Sequence, residues 1–579
     1  MIQLLRNARL TAATIQQHLL EDPMVLFLQL SRRLPAAVRP LAGAVVRKWP
    51  AGSTAGLVSF LALVSGNDAE MDRRIRLAAA AAIPGPKARR LAEIALAANR
   101  PDLADLLMDR ACAARNGRAT AARRLWHDGA VSDALAVWDG ASGPEPLQQR
   151  RLKAEAAVLR GAAPVLASVP FQPVEGRVLH LLTNSLPHTA SGYAQRSHST
   201  LLAQQAGGKE VLAVTRMGYP VQVGKVLAKG QDVVEGITYR RLLPGRMAAT
   251  VDARLQQQAE ELLKVALEFR PGVLHTTTHY VNGMVVRAVA DALGIPWVYE
   301  VRGQLADTWA SVRGPEARES EKYRLFSQRE REAMLSASLV LTLGEAMKSN
   351  IVAAGVPAAK VLLMPNAVGG DFLDEPRSQA DARRELGLPV AGQYVGTVSS
   401  LVPYEGIHEL MQAFVLLAGD HPDLNLLIVG DGVSTPSLRA QAEQSDFADR
   451  IIFTGRVPQK LAVRYHQALD IFAVPRKDLE VTRSVTPLKP VEAMACARPV
   501  VATDLPALRE IVEPGVTGLL TEPGNPGALA AGLRTLLNDP GLAAELGRAG
   551  RERVLNERTW AANAAALSKE LEKLGVTNG

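Results

Sequence analysis

A lysine and a glutamate three residues apart, Lys489 and Glu492, stand in the stretch TPLKPVEAMA, just ahead of the apolar run PVVAT. The proline-led turn and VEAMA predict the first turn of a helix. Both groups then fall at a helix N-terminus, where free amides and the helix dipole favour an anion and the lysine adds a mobile cation. The other reading is ordinary capping by Glu492 beside a solvated lysine. A second candidate anion site is TASGYAQRSH. Gly192 stands where strand turns into helix, so backbone amides can approach an oxyanion, and Arg196, one helical turn on, can point at the same anion. A plain turn is the alternative. His275 and His279, in LHTTTHY, are polar groups at a strand end, open to a substrate role or to a satisfied place in the core. Asn366, in MPNAV, is expected to shape a hinge.

Three regions with different grammar position these residues. Residues 1–165 are rich in Ala, Leu and Arg and read as short helices, either hairpins of the tetratricopeptide kind or an irregular bundle. They are expected to be a separate unit that the Lys489–Glu492 site does not need. From GRVLHLLTN onward, apolar runs such as EVLAVTR, GVLHTTT and PWVYEVR alternate with helical patterns. That alternation predicts a parallel sheet covered on both faces. A second set follows, with QYVGTVS, LNLLIVGDG, RIIFTG, IFAVPR and PVVAT. The expected domains are 176–370, 371–558 and a C-terminal helix, 559–579, crossing back to the first sheet. Two doubly wound sheets in series imply a cleft at the carboxyl ends of their strands.

Composition agrees with a large folded protein: 579 residues, 47% hydrophobic and 21% charged. The formal net charge of +8 comes from 66 basic against 58 acidic residues spread along the chain, so an anionic partner is permitted and nothing singles out nucleic acid. Cys112 and Cys496 are too few and too distant for a zinc site or a disulfide framework. There is no D-x-D pair to hold a metal-bound diphosphate and no Walker pattern, so no metal is expected. No run approaches the roughly 18 apolar residues of a membrane span, PMVLFLQL included, and no signal peptide is evident. A cytoplasmic location is expected. The basic segments LLRNARL and AAVRPLAGAVVRKW are either solvated helix faces or a peripheral contact with the inner face of an anionic membrane.

From about residue 176 to the end, the chain resembles the GT-B glycosyltransferases, specifically the retaining family 4. The resemblance is carried by SLPHTASGYAQRSH, TRMGYP, YEVRG, MPNAV, IVGDG, FTGRVP, TPLKPVEAMACARPVVATDLPALREIV and GVTGLL, eight stretches in order. It implies an α/β fold of two Rossmann-like domains facing a cleft, preceded here by the helical region. It implies that Glu492 accepts hydrogen bonds from ribose hydroxyls, and that the helix-start amides around Pro487 and Leu488 meet the donor diphosphate, with Lys489. Gly396, Arg476 and Ser484 are the other expected donor-binding positions. Lys489 and Arg302 are the expected catalytic cations, and Gly192, Arg196 and His275 the acceptor and phosphate loop. The sequence departs from the family at Ser484, where a first glutamate is usual although Glu480 lies nearby, and at Ser399 and Glu405, where an arginine and a lysine are frequent. Charge neutralisation then falls to Lys489, Arg476, Arg483 and Arg302. The TPLKP form resembles a recurrent variant of the family's pattern, so the departures do not by themselves imply inactivity.

The implied activity is transfer of a sugar from a nucleotide diphosphate sugar to a glycan, lipid-linked or small-molecule acceptor. No side chain is an evident nucleophile, and front-face attack is the mechanism expected from the resemblance. A non-catalytic nucleotide-sugar-binding scaffold and a GT-B epimerase are the alternatives, separated by turnover and by products formed without acceptor.

Overall fold

Short apolar runs, most of them buried on both faces, form the strands of the computed structural model, which describes residues 2–21, 24, 38–48, 50, 56–114, 116–141 and 143–575. The first sheet holds β1 (Arg177–Leu182), β2 (Glu210–Thr215), β3 (Gln231–Val234), β4 (Ile237–Arg241), β5 (Val273–Thr277), β6 (Trp297–Val301), β7 (Leu339–Thr342) and β8 (Val361–Leu363). Their order is β3-β4-β2-β1-β5-β6-β7-β8, with only the edge hairpin β3–β4 antiparallel. The second sheet holds β9 (Gln393–Val398), β10 (Leu424–Val429), β11 (Ile451–Gly455), β12 (Ile471–Val474), β13 (Val500–Thr503) and β14 (Gly518–Thr521). It runs β11-β10-β9-β12-β13-β14, wholly parallel. The fold is therefore α/β, with two Rossmann-like domains preceded by a helical region. The sequence pattern had not suggested the β3–β4 hairpin; its turn uses Glu235 and Gly236, both at positive φ.

Strand order reverses beside β1 in the first sheet and beside β9 in the second. In open sheets of this kind the crevice lies outside the carboxyl ends at such a switch point. The loops after β1, β5, β9 and β12 are thus the ones that build a site. The β9 and β12 loops touch closely at Gly406, which has φ 72° and whose Cβ, if it had one, would run into the Pro475 carbonyl oxygen. Gly406→Ala is expected to cost at least about 1–3 kcal/mol through strain and backbone displacement. A shift in the urea midpoint measures it, and an unchanged midpoint would show that the two loops are not held together here.

The helical region does not stand wholly apart. Helices Gly56–Ser65, Asp68–Ala80 and Gly85–Ala97 close a core of their own around Met71, Ile75, Leu91 and Leu107. Val131, Ala156, Val158 and Leu159, however, belong to the core of the first sheet, with Trp126 packed against it. A cut at residue 165 would pass through one shared core, which corrects the expectation of a separate unit. Helix Ile2–Glu21 also docks on the first domain, where Asn7 Nδ2 donates to the Val226 and Ala228 carbonyls, 2.8 Å each, and Leu10 packs on Val221. Most of PMVLFLQL, and the ends of AAVRPLAGAVVRKW, lie outside the described residues. Among those described, no helix is long and apolar enough to cross a membrane. At the other end, helix Trp560–Lys573 returns to the first domain, burying Leu567 and Leu571 beside Val178 and Leu201.

Candidate active site between the two sheets

On the second domain, helix Lys489–Ala495 begins at the cleft with Pro490 in its first turn. Lys489 Nζ donates to Glu492 Oε2 at 2.9 Å, and His466 Nε2 lies 3.3 Å from the same oxygen. Burial pushes the Glu492 pKa up, but the Lys489 charge and His466 outweigh it and hold the carboxyl at about 2. His466, fully buried and shifted down by that burial, stays neutral near pH 7. Because the Glu492 pKa is depressed from 4.5, the stability it contributes is full above about pH 4.5 and is lost as pH falls toward 2. Leu488 and Glu492 line a cleft of about 720 Å³, shared with Gln459, Phe372, Gly369 and Gly370, and closed on the far side by Gln195, Arg196 and Trp560. Pro487 is buried just before it.

Other expected donor residues are placed differently. Arg476 is spent on Glu405, its Nη2 and Nε at 2.7 and 3.2 Å from the carboxylate oxygens, and on the Val485 carbonyl. It carries no spare charge for a phosphate, so Glu405 is the partner of Arg476, where the family pattern suggested a cation. Arg483 pairs with Asp478. Ser484 is buried and returns its hydroxyl to the Glu480 carbonyl, 3.0 Å away. Gly396 sits inside β9, where a Cβ would run into the Leu427 carbonyl, so its lack of a side chain serves strand packing. Of the sequence-predicted donor group, Leu488 and Glu492 line the cleft, and Lys489 is joined to Glu492 beside it.

On the first domain, Gly192 opens helix Gly192–Ala206, with Ser191 as its cap and open space where a side chain would be. The cations expected beside it face inward. Arg196 Nε donates to Glu300 Oε1 at 2.7 Å and Arg302 Nη2 to Glu300 Oε2 at 2.5 Å, all three side chains being buried. Burial opposes ionisation of Glu300, but the two guanidinium groups hold its pKa far below the usual carboxylate range. Arg302 also donates to the Tyr193 carbonyl and Ser197 Oγ. These contacts turn Arg196 and Arg302 toward Glu300, which holds the two guanidinium groups in place. His275 is likewise buried, its ring tilted 32° against His180 at 4.4 Å between centroids, with Nε2 3.8 Å from Glu300. The β1–β5 register sets the two rings side by side. Burial holds His275 neutral. His279 caps helix Tyr280–Leu293 and stacks on Phe326. Sequence reasoning passed over Glu300, although a carboxylate inside the apolar strand WVYEV is the signal that marks it.

The domains are tied through Asn366: its Oδ1 accepts from Arg196 Nη1 at 3.1 Å, and its Nδ2 donates to the Thr486 carbonyl at 2.8 Å. Glu510 of the second domain caps helix Glu345–Ala353 of the first, accepting from two backbone amides at 2.8 Å each. Arg318 and Glu480 face each other at 3.7 Å across the same seam.

The family described as "Glycosyl transferase 4-like domain" matches residues 191–367, and "Glycosyl transferases group 1" matches 378–553. The chain belongs to the family 4-like glycosyltransferases of GT-B fold. This glycosyltransferase is 32% identical over 241 residues to a GDP-mannose-dependent alpha-(1-6)-phosphatidylinositol monomannoside mannosyltransferase of Mycolicibacterium smegmatis. That match spans 41% of the chain and 62% of the relative's length. It is 26% identical over 424 residues to a D-inositol 3-phosphate glycosyltransferase of Segniliparus rotundus, covering 66% of the chain and 90% of that relative. Its fold is shared with a sucrose-phosphate synthase from Thermosynechococcus elongatus, at TM-score 0.56 and 21% identity, over 69% of this chain and 99% of the other.

Proposed function

We propose that this glycosyltransferase is retaining and moves a sugar from a nucleotide diphosphate sugar to a polyol acceptor, lipid-linked or free. The observation that carries the reading is the buried, ionised Glu492 held by Lys489 at the cleft end of a helix on the second sheet. Glu492 would accept the ribose hydroxyls, and Lys489 would meet the diphosphate. The names of the two relatives support a phosphate-bearing acceptor, since inositol 3-phosphate and a phosphatidylinositol mannoside both carry phosphate.

In the proposed step the acceptor oxygen bonds to the anomeric carbon on the face the nucleotide leaves, as the bond from that carbon to the phosphate oxygen breaks. The acceptor proton passes to the departing phosphate, and Lys489 stabilises the charge that grows there. With Arg476 held by Glu405, that stabilisation rests chiefly on Lys489 and needs no metal ion in this scheme. A peripheral membrane contact fits Leu4 and Leu5, which are exposed beside Arg6 and Arg9 on the N-terminal helix. The first test is protection of the full chain against heat unfolding by UDP-, GDP- and ADP-sugars. A bound donor at 100 times its dissociation constant adds about 2.7 kcal/mol, and protection by none of the three would refute the donor reading.

A further inference from the structure

Arg216 follows directly on β2, and its backbone amide donates to the Leu182 carbonyl at the end of β1, 2.8 Å away. Its side chain turns over that strand end, where Nε donates to the Thr183 carbonyl at 3.1 Å. Asn282 reaches the same residue, its Nδ2 donating to Thr183 Oγ1 at 2.8 Å. The guanidinium therefore lies at the carboxyl end of β1, beside the switch point of the first sheet. Ligands of such sheets bind there.

Three other arginines of this domain, Arg196, Arg241 and Arg302, are matched by carboxylates. Arg196 and Arg302 share Glu300, and Arg241 holds Asp232, which also meets His188. Among the described residues no carboxylate pairs with Arg216, and its contacts stop at the Nε bond, leaving Nη1 and Nη2 unbonded. Burial shifts its pKa down, with only the Tyr219 phenol opposing that. A partly buried cation without a counter-charge costs free energy, and an incoming oxyanion removes that cost. The two free Nη groups form a planar fork that matches a pair of phosphate oxygens.

We infer that Arg216 binds the phosphate of the acceptor, which is a phosphate-bearing polyol; this deepens and rests on the acceptor side of the proposed function. TRMGYP, the stretch around it, thereby gains a role in choosing the acceptor.

The test titrates the full-length chain calorimetrically with myo-inositol, inositol phosphate and phosphatidylinositol vesicles, and separately with the nucleotide sugar. Wild-type protein should bind one phosphate-bearing form, in solution or in vesicles, at least about tenfold more tightly than myo-inositol or phosphatidylcholine vesicles. Which arm responds identifies a free phosphate or a lipid headgroup as the source. Arg216→Gln should erase that preference and leave nucleotide-sugar binding unchanged, while Arg216→Lys should keep part of it. No phosphate preference in the wild type, or an undiminished one in Arg216→Gln, overturns the inference. Loss of nucleotide-sugar binding throughout, with an Arg216-dependent phosphate preference intact, would refute the donor reading alone.

Discussion

Glu300→Gln should lower the unfolding free energy by about 3–5 kcal/mol, the usual cost of removing one partner from a buried charge group. The carboxylate is 1% exposed and takes Arg196 and Arg302 on separate oxygens. An amide leaves two buried guanidinium groups without a counter-charge, and one of its two ends faces an arginine with N–H groups. The damage should spread to the hinge, because Arg196 also donates to the Met364 and Pro365 carbonyls and to Asn366. Urea denaturation at pH 7 measures the loss, and a change below about 1 kcal/mol would show that the trio is not a coupled charge group. The pH dependence has a definite sign. The folded pKa of Glu300 lies below its unfolded value, so its stabilisation is present above about pH 4.5 and falls as the pH drops. Wild-type protein should therefore lose more stability on acidification than Glu300→Gln, which starts without that contribution.

The second large effect is expected at Lys489 and Glu492, and the two should fail differently. Glu492→Gln replaces an ionised acceptor with an amide, so nucleoside binding should weaken by about 1.5–3 kcal/mol, roughly tenfold to a hundredfold. Lys489→Ala should leave nucleoside affinity closer to wild type and cut turnover by about 10²–10³, the usual cost of removing one preorganised group from a developing oxyanion. The difference follows because phosphate charge grows toward the transition state, and only interactions that strengthen there raise the rate. Lys489 also steadies a buried carboxylate. Unfolding curves of both variants and of Lys489→Arg are needed to separate lost stability from lost chemistry. Equal losses of nucleoside affinity and turnover in both variants would undo the division of labour.

What the sequence made legible is the part governed by local rules. TPLKPVEAMA states a helix start, and the helix start sets Lys489 and Glu492 on neighbouring turns of one face. Alternating strands and helices foretell two parallel sheets, and therefore a cleft at their carboxyl ends. What stayed hidden depends on partners distant in the chain. Spacing puts Arg196 one turn from Gly192, but the side chain's direction is decided by Glu300 and the hinge, 104 and 170 residues away. Arg476 reads as a free cation until the fold brings up Glu405, 71 residues earlier. The change of pattern near residue 165 marks where strands begin, not where a core ends, because Val131 and Leu159 already pack in the first domain. Gly396 carries no sign in the sequence that its need is space between strands.

The most direct test of the central claim is the anomeric configuration of the product, read by proton NMR during turnover of a nucleotide sugar by the full-length chain. Front-face transfer predicts that an α-linked donor gives an α-linked product, with nucleoside diphosphate released in equal amount. A β-linked product would contradict the proposed mechanism, and an epimerised donor with no sugar bonded to acceptor would contradict transfer itself.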